Sequence, residues 1–459
     1  MDSTLACLAG WMPRQRWYAA KGRIPSLRLV AMWDLPAPGG GAGADPRVRV
    51  RTFLVADEAA LPAVLYQVPV VARPTATVDA HAHHVIGSPE PGTTLIDGPF
   101  DPAYCGALLR LVTAGGEGKG AGTTVRGVPS ASIPDAATDG TGSVLSGEQS
   151  NTSLIYRGAE GTTPIICKIY RQVHPGLNPD IELQTALAEA GSSYVPRVVG
   201  SVTGTWPDPS DGRRSTGGSL AFAQEFLPGV EDAWRVALRA AASGEDFTTP
   251  ARDLGVATAE VHGSLAELFD ASPAGPDERA AAAEGWRRRL SIAIAEVPAL
   301  APRRADIEAV YARTAQSAWP MLQRIHGDYH LGQVILVPGR GWVLLDFEGE
   351  PIRPMAERMR PDFALRDVAG MLRSFDYVAG SIRLDQPDRS PESVRDWTRS
   401  ARLAFLDGYA AASGVDLSSQ RPLLDALELD KAVYEAIYES RNRPTWITIP
   451  LRAITRLAR

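Results

Sequence analysis

The chain has 459 residues, 44% apolar and 22% charged, a composition of globular proteins and too much sequence for one core. Its 53 acidic and 47 basic side chains leave a net charge of −6, which argues against the basic footprint of a nucleic-acid binder. No apolar run reaches the ~18 residues of a membrane helix, and no leader segment is visible, so a cytoplasmic protein, a monomer or weak dimer, is expected. Cys7, Cys105 and Cys167 are scattered without metal-type spacing and read as reduced thiols. Only four of the basic residues are lysines (Lys21, Lys119, Lys168 and Lys431), so each is worth locating.

The chain opens with a run dense in Arg and aromatics, from Arg14 through Trp17 and Tyr18 to Arg23, which reads as a cation–π-braced surface element or an interface. Strand-like runs follow at residues 27–30, 48–53 and 63–68. Gly/Pro-rich stretches at residues 35–45, 114–124 and 203–217 read as loops. His81, His83 and His84 read as a solvated loop rather than a metal site. Gly118-Lys119 lacks the following Ser or Thr of a phosphate-binding Walker loop. From about Asp253 the pattern changes to long amphipathic helices, such as residues 254–269 and 280–295. A β-rich first part and a helical second part fit an α+β, two-lobed enzyme.

The most informative segment is His326-Gly327-Asp328-Tyr329-His330-Leu331-Gly332-Gln333. Asp328 is followed five residues later by a carboxamide, Gln333, and 18 residues later by Asp346, beyond the apolar run 342–345. Protein kinases space their hydroxyl-orienting base and magnesium ligands in this way. Asp328 is therefore the candidate base, with Gln333 and Asp346 as candidate ligands of Mg2+. Glu348 is a further candidate. His326 reads as a loop brace and His330 as a substrate-side group. A zinc or iron reading of His-x-Asp-x-His is disfavoured, because no other histidine cluster supports it. Asp367 reads equally as a helix N-cap and as a brace for the aspartate loop.

A nucleotide half is expected earlier in the chain. Gln149-Ser150-Asn151-Thr152-Ser153 lies between strand-like residues 143–145 and 154–156, where a small polar turn can cover phosphates. Lys168 stands inside the apolar strand 165–170 and needs a partner there. Glu182, on the helix opening after Asn178-Pro179, is the expected one, as strand lysine and helix glutamate pair in kinases. Gln224, Glu225 and Phe226 end an apolar strand before Pro228-Gly229, where an interlobe hinge would meet adenine.

Near the C-terminus Lys431, Tyr434 and Tyr438 share one helical face by their spacing of three and four, with Glu435 beside them. An ammonium with two phenols suits a sugar. An amine acceptor would instead call on Glu435 and Glu439.

Together these motifs resemble the actinobacterial maltokinases. The resemblance rests on residues 149–153, 326–333, Asp346-Phe347-Glu348-Gly349-Glu350-Pro351, residues 366–375, Arg14-Gln15-Arg16-Trp17-Tyr18-Ala19 and Asp430-Lys431-Ala432-Val433-Tyr434-Glu435. It implies a protein-kinase-like fold akin to aminoglycoside and choline phosphotransferases. The implied parts are an N-terminal cap (1–95), a nucleotide-binding lobe (96–226) and a helical lobe (227–459). It implies ATP and Mg2+ as cofactors, maltose as acceptor, maltose 1-phosphate as product for α-glucan synthesis from trehalose, and trehalose synthase as a partner. By the same resemblance Asp328 is the base, Gln333 and Asp346 hold metal, Lys168 touches phosphate, and Lys431, Tyr434 and Tyr438 touch maltose. One departure is Trp446-Ile447-Thr448-Ile449-Pro450, where the family reads Trp-Leu-Pro-Ile/Val-Pro. The alternatives are a kinase of glucosamine or an aminoglycoside, and a non-catalytic kinase-like module. Retention of Lys168, Asp328, Gln333 and Asp346 together speaks against the last.

Overall fold

The computed structural model describes residues 2–36, 45–79, 82–120, 122–130, 133, 135–145, 150–350, 353–386 and 388–458. Among the sequence expectations, most of the loop at 35–45, His81 and Gln149 fall outside these residues. The chain divides into two compact units, Met1–Thr185 with Pro196–Pro228, and Ala186–Val195 with Gly229–Arg459.

The first unit is built on one sheet. Its strands are β1 (Leu27–Leu35), β2 (Arg49–Asp57), β3 (Val64–Pro74), β4 (Val85–Glu90), β5 (Thr93–Asp97), β6 (Gly116–Gly120), β7 (Thr123–Pro129), β8 (Thr141–Val144), β9 (Asn151–Arg157), β10 (Ile165–Tyr170), β11 (Val198–Pro207) and β12 (Ser215–Glu225). Their order is β4-β5-β3-β2-β1-β6-β7-β11-β12-β10-β9-β8. The two groups of strands meet where β1 pairs β6 at Asp34 and Lys119. Alternation along β2 explains how both faces are covered. Val50, Leu54 and Ala56 join the core beneath helix α2 (Pro102–Ala114), whereas Phe53 and Val55 pack with Leu8, Trp11 and Trp17 beside helix α1 (Asp2–Trp11).

Two expected loops are corrected. Residues 116–120 and 123–124 are strand, pairing in the β6–β7 hairpin, and residues 203–207 and 215–217 belong to β11 and β12, with a loop at 208–214 between them. Backbone pairing overrides the Gly-rich composition at both places. The Arg/aromatic run is split: Arg14, Arg16, Lys21 and Arg23 are exposed, whereas its two aromatic rings turn inward. Trp17 and Tyr18 are buried, and the Tyr18 hydroxyl donates to Asp57 at 2.5 Å. The cation over Trp17 comes from Arg171, 4.9 Å from the ring centre. Arg171 is fully buried, donates to both Asp97 oxygens (2.9 and 2.8 Å) and to Thr152 Oγ1 (2.8 Å). That guanidinium ties β5, β9 and the N-terminal aromatics together.

The second unit is mostly helical. Helix α3 (Pro179–Glu189) runs across the division; then come α4 (Ala233–Ser243), α5 (Thr248–Leu268), α6 (Pro276–Glu296), α7 (Arg304–Arg313), the single turn α8 (Met355–Arg358), α9 (Ala364–Asp385), α10 (Pro391–Ser413), α11 (Arg421–Asn442) and α12 (Thr448–Leu457). The helices expected at 254–269 and 280–295 are α5 and α6. A hairpin of Val334–Val337 and Gly341–Leu344 separates Gln333 from Asp346. None of the described helices is long and apolar enough to cross a membrane.

Candidate functional site

The loop 326–333 is locked from two helices. Gly327 turns it with φ +84°, a left-handed conformation that glycine adopts without strain. The N–H groups of His326 and Gly327 donate to Asp367 of α9 at 2.8 and 2.9 Å. Asp367 also bonds His262 Nε2 of α5 at 3.1 Å. Burial alone would raise the Asp367 carboxyl, but its hydrogen bond to His262, the nearby imidazoles and the Gly327 N–H hold it below the ordinary value. Of the two readings open for Asp367, the brace is correct: the helix N-cap position is Phe363. Tyr329 is bonded to Thr258 at 2.8 Å, and Leu331 N–H donates to Ser374 Oγ at 3.1 Å. Gly370 admits the close approach of α9, since a Cβ there would lie 2.5 Å from the Tyr329 carbonyl oxygen.

His326 couples Asp328 to Asp346. Its Nε2 lies 2.8 Å from the Leu345 carbonyl, and its Nδ1 lies 3.4 Å from the Asp328 N–H. Those partners assign the proton to Nε2. Leu345 N–H donates to the Gln333 carbonyl at 2.9 Å, and Gln333 Nε2 donates to Asp346 Oδ2 at 3.1 Å. Asp346 has φ +64°, the one positive φ outside glycine among the described residues. Such strain persists where the surroundings over-determine it, and it concentrates at functional sites. A carboxylate oxygen of Asp346 lies within 4.8 Å of one of Glu348. Oxygen donors of this kind, from two carboxylates and a nearby carboxamide, suit Mg2+.

An ionic cluster surrounds the Lys431 ammonium. Lys431 donates to Glu350 Oε1 at 2.5 Å and lies 3.5 Å from Asp328 Oδ1. Burial disfavours its charge, but Glu350 and Asp328 outweigh that and raise its pKa. Glu350 is likewise pushed up by burial and pulled down, to about 2, by Lys431 and Arg353. Glu350 stands in the Asp346–Pro351 motif, but its pairing with Lys431, 81 positions away, had no sequence signal. Tyr434 sits under the Lys431 ammonium at 5.4 Å, and Tyr438 is exposed, with the Arg443 guanidinium over its ring at 5.5 Å. Burial lowers the pKa of His330, which favours the neutral imidazole; its Nδ1 accepts the Gly332 N–H at 3.0 Å. Glu435, expected on the substrate face, is corrected: it is buried and accepts two bonds from Arg373, at 2.9 and 2.7 Å. Glu439 is also buried and is engaged by Tyr377 and Arg443.

In the first unit, Lys168 projects from β10 and donates to Asp180 Oδ2 at 3.0 Å. Asp180 is a partner the sequence reading missed; Glu182, the expected one, lies two residues further along α3. Asn178 Oδ1 accepts the Asp180 N–H at 2.8 Å, which fixes the start of that helix. Ser150, just before β9, is exposed and Asn151 is half-buried. Thr152 and Ser153, expected over phosphates, are instead buried within β9, and Thr152 is taken by Arg171. At the expected hinge, the Glu225 and Phe226 N–H groups donate to Arg197 and Pro164 carbonyls at 2.9 and 2.7 Å, so those two donors are not offered to a purine. The Glu225 carboxylate accepts from Arg197. The Gln224 side-chain oxygen is buried without a hydrogen-bond partner.

A model of the phosphotransferase enzyme family matches residues 141–423, and one of the maltokinase N-terminal cap domain matches residues 11–101. A glucosamine kinase of Streptacidiphilus jiangxiensis is 33% identical over 329 residues, covering 68% of this chain and 72% of that protein. One from Mycolicibacterium smegmatis is 31% identical over 260 residues, covering 52% and 62%. A solved glucosamine kinase in complex with glucosamine, ADP and inorganic phosphate shares 25% identity at a TM-score of 0.68, over 98% of both chains. The fold is thus the kinase-like phosphotransferase fold with an N-terminal cap, in the α+β class expected.

Proposed function

The chain belongs to the phosphotransferase enzyme family and carries a maltokinase-type cap, and on that premise we propose that it is a sugar kinase, transferring the γ-phosphoryl group of ATP to the anomeric hydroxyl of maltose. Maltose 1-phosphate and ADP are the products, and α-glucan synthesis is the use. The observation that carries the reaction class is the locked loop with Asp328 beside Lys431 and, across the hairpin, Asp346 in a strained conformation bonded to Gln333.

Asp328 accepts the hydroxyl proton, or orients the hydroxyl until its proton is lost to the transferring group. Gln333, Asp346 and Glu348 are the candidate holders of Mg2+. When bound, the ion would neutralise charge developing on the β- and γ-phosphate oxygens. Lys168, paired with Asp180, is proposed for the phosphates, with Ser150 and Asn151 on the same end of the sheet. Gln224, with its unpartnered oxygen, is proposed for the purine edge.

For the acceptor, the surroundings of Lys431 favour a neutral sugar. A second ammonium beside it would be repelled, and the nearby carboxylates of Glu435 and Glu439 are already held by arginines. Glucosamine is the second reading, favoured by the relatives that carry that name. ADP release measured across a panel of maltose, glucosamine, glucose and an aminoglycoside decides between them. Turnover of glucosamine with none of maltose removes the first reading; no turnover of any sugar removes both. An association with trehalose synthase is part of the proposal, and copurification with and without residues 1–95 tests it.

A further inference from the structure

Away from loop 326–333, α9, α10 and α12 enclose a cavity of about 550 Å³. That is room for a small organic molecule. Seven of its 17 lining residues are arginines, against a single acid, Asp376. Asp376 is already shared by Arg373, Arg402 and Arg456. Arg383, Arg395 and Arg452 form no ion pair among the described residues, and they also line an adjoining hollow of about 490 Å³. The Nε of Arg383 is buried and has no hydrogen-bond partner. Burial and the charges of Arg452 and Arg395 together depress its pKa.

This arrangement is costly in the empty protein. A buried N–H without an acceptor loses its hydration, and like charges held together repel. An anion relieves both, and guanidinium forks match phosphate oxygens in geometry. Ala379, Leu384, Leu403, Leu406 and Ile449 supply an apolar part of the wall. We propose that this cavity is a binding site for a phosphate monoester with an apolar organic body, its phosphate held by Arg383, Arg395 and Arg452. The site is distinct from the one that would take ATP and sugar.

Calorimetric titration of the full chain with phenyl phosphate tests this, with Mg2+ and ADP saturating so that the nucleotide site is occupied. Saturable binding is expected, with inorganic phosphate weaker and benzyl alcohol showing none. Arg383→Gln and Arg395→Gln should each weaken phenyl phosphate about tenfold or more, as loss of a charged hydrogen bond does. Arg395 lies at the exposed rim, so its variant is a test that does not disturb the core. Arg383→Gln should leave the thermal midpoint unchanged or raised, because it removes repulsion. No binding by the parent chain, or equal affinity in the parent and both variants, overturns the proposal.

Discussion

The Lys431 ammonium lies 3.5 Å from the Asp328 carboxylate, although 103 positions separate the two in sequence. The contact joins the candidate base to the helix proposed for the sugar, and Glu350 completes it from the segment after Asp346. One cation therefore serves two carboxylates, and Glu350 has Arg353 as a further partner.

Lys431→Met should act on the sugar and not on the nucleotide. Asp328 loses its neighbouring charge and the acceptor loses a donor. The kcat/KM for the sugar should fall roughly 10- to 100-fold, the range for a lost charge-assisted hydrogen bond. ADP affinity, read by calorimetry, should stay as in the parent. A parallel loss of ADP affinity would show that Lys431 holds the fold rather than the acceptor.

Asp328→Asn keeps the size and the neighbours of the side chain and removes its basicity. Turnover should fall by ~10²–10⁴, the usual effect of losing a positioned base. Nucleotide binding and the thermal midpoint should stay close to those of the parent. A variant with parental turnover would end the assignment of Asp328.

What could be read in the chain was local. The spacing of Asp328, Gln333 and Asp346 is a property of one loop and one hairpin, so it survives in sequence. The strands of residues 48–53 and 63–68 follow from their alternation. Long-range pairing was not legible. Asp180, which pairs with Lys168, has no signal of its own beside Glu182, because both lie on the first turns of α3. Arg171 sits next to a strand end, where a guanidinium is ordinarily solvated. Its charge and ring partners, Asp97 and Trp17, are each at least 74 positions away. The hairpin of β6 and β7 hides in a Gly-rich run because its partners, β1 and β11, lie far off in sequence.

Asp367→Ala should couple stability to rate. It strips the acceptor from the His326 and Gly327 N–H groups and from His262. Buried donors left without an acceptor cost about 1–3 kcal/mol each when fully unsatisfied, so a net loss of about 3 kcal/mol is expected in denaturant unfolding. The kcat should fall while KM for ATP changes little, since the loop and not the first unit is released. Asp367→Asn, which keeps one acceptor oxygen but faces an NH2 group towards a donor, should fall between the two. Parental stability in the alanine variant would show that the loop is held by other contacts.

Glu428 provides the test in acid. Its carboxylate is buried on α11 and accepts from Arg402 at 2.9 Å and Arg456 at 2.6 Å. Burial would raise its pKa, but those two arginines outweigh it and hold the group at about 2, against an ordinary 4.5. A carboxyl whose folded pKa lies below its unfolded one binds more protons when unfolded. Its contribution is therefore complete above about pH 4.5 and is lost as pH falls towards 2. The size is about 3 kcal/mol from a shift of this extent. Glu428→Gln should lower the unfolding free energy at neutral pH by a similar amount, leaving Arg402 and Arg456 to share Asp376 with Arg373. The stability of that variant should fall less steeply between pH 4.5 and 2 than that of the parent. Equal slopes for variant and parent in guanidinium-free urea unfolding would place the acid sensitivity at other carboxylates.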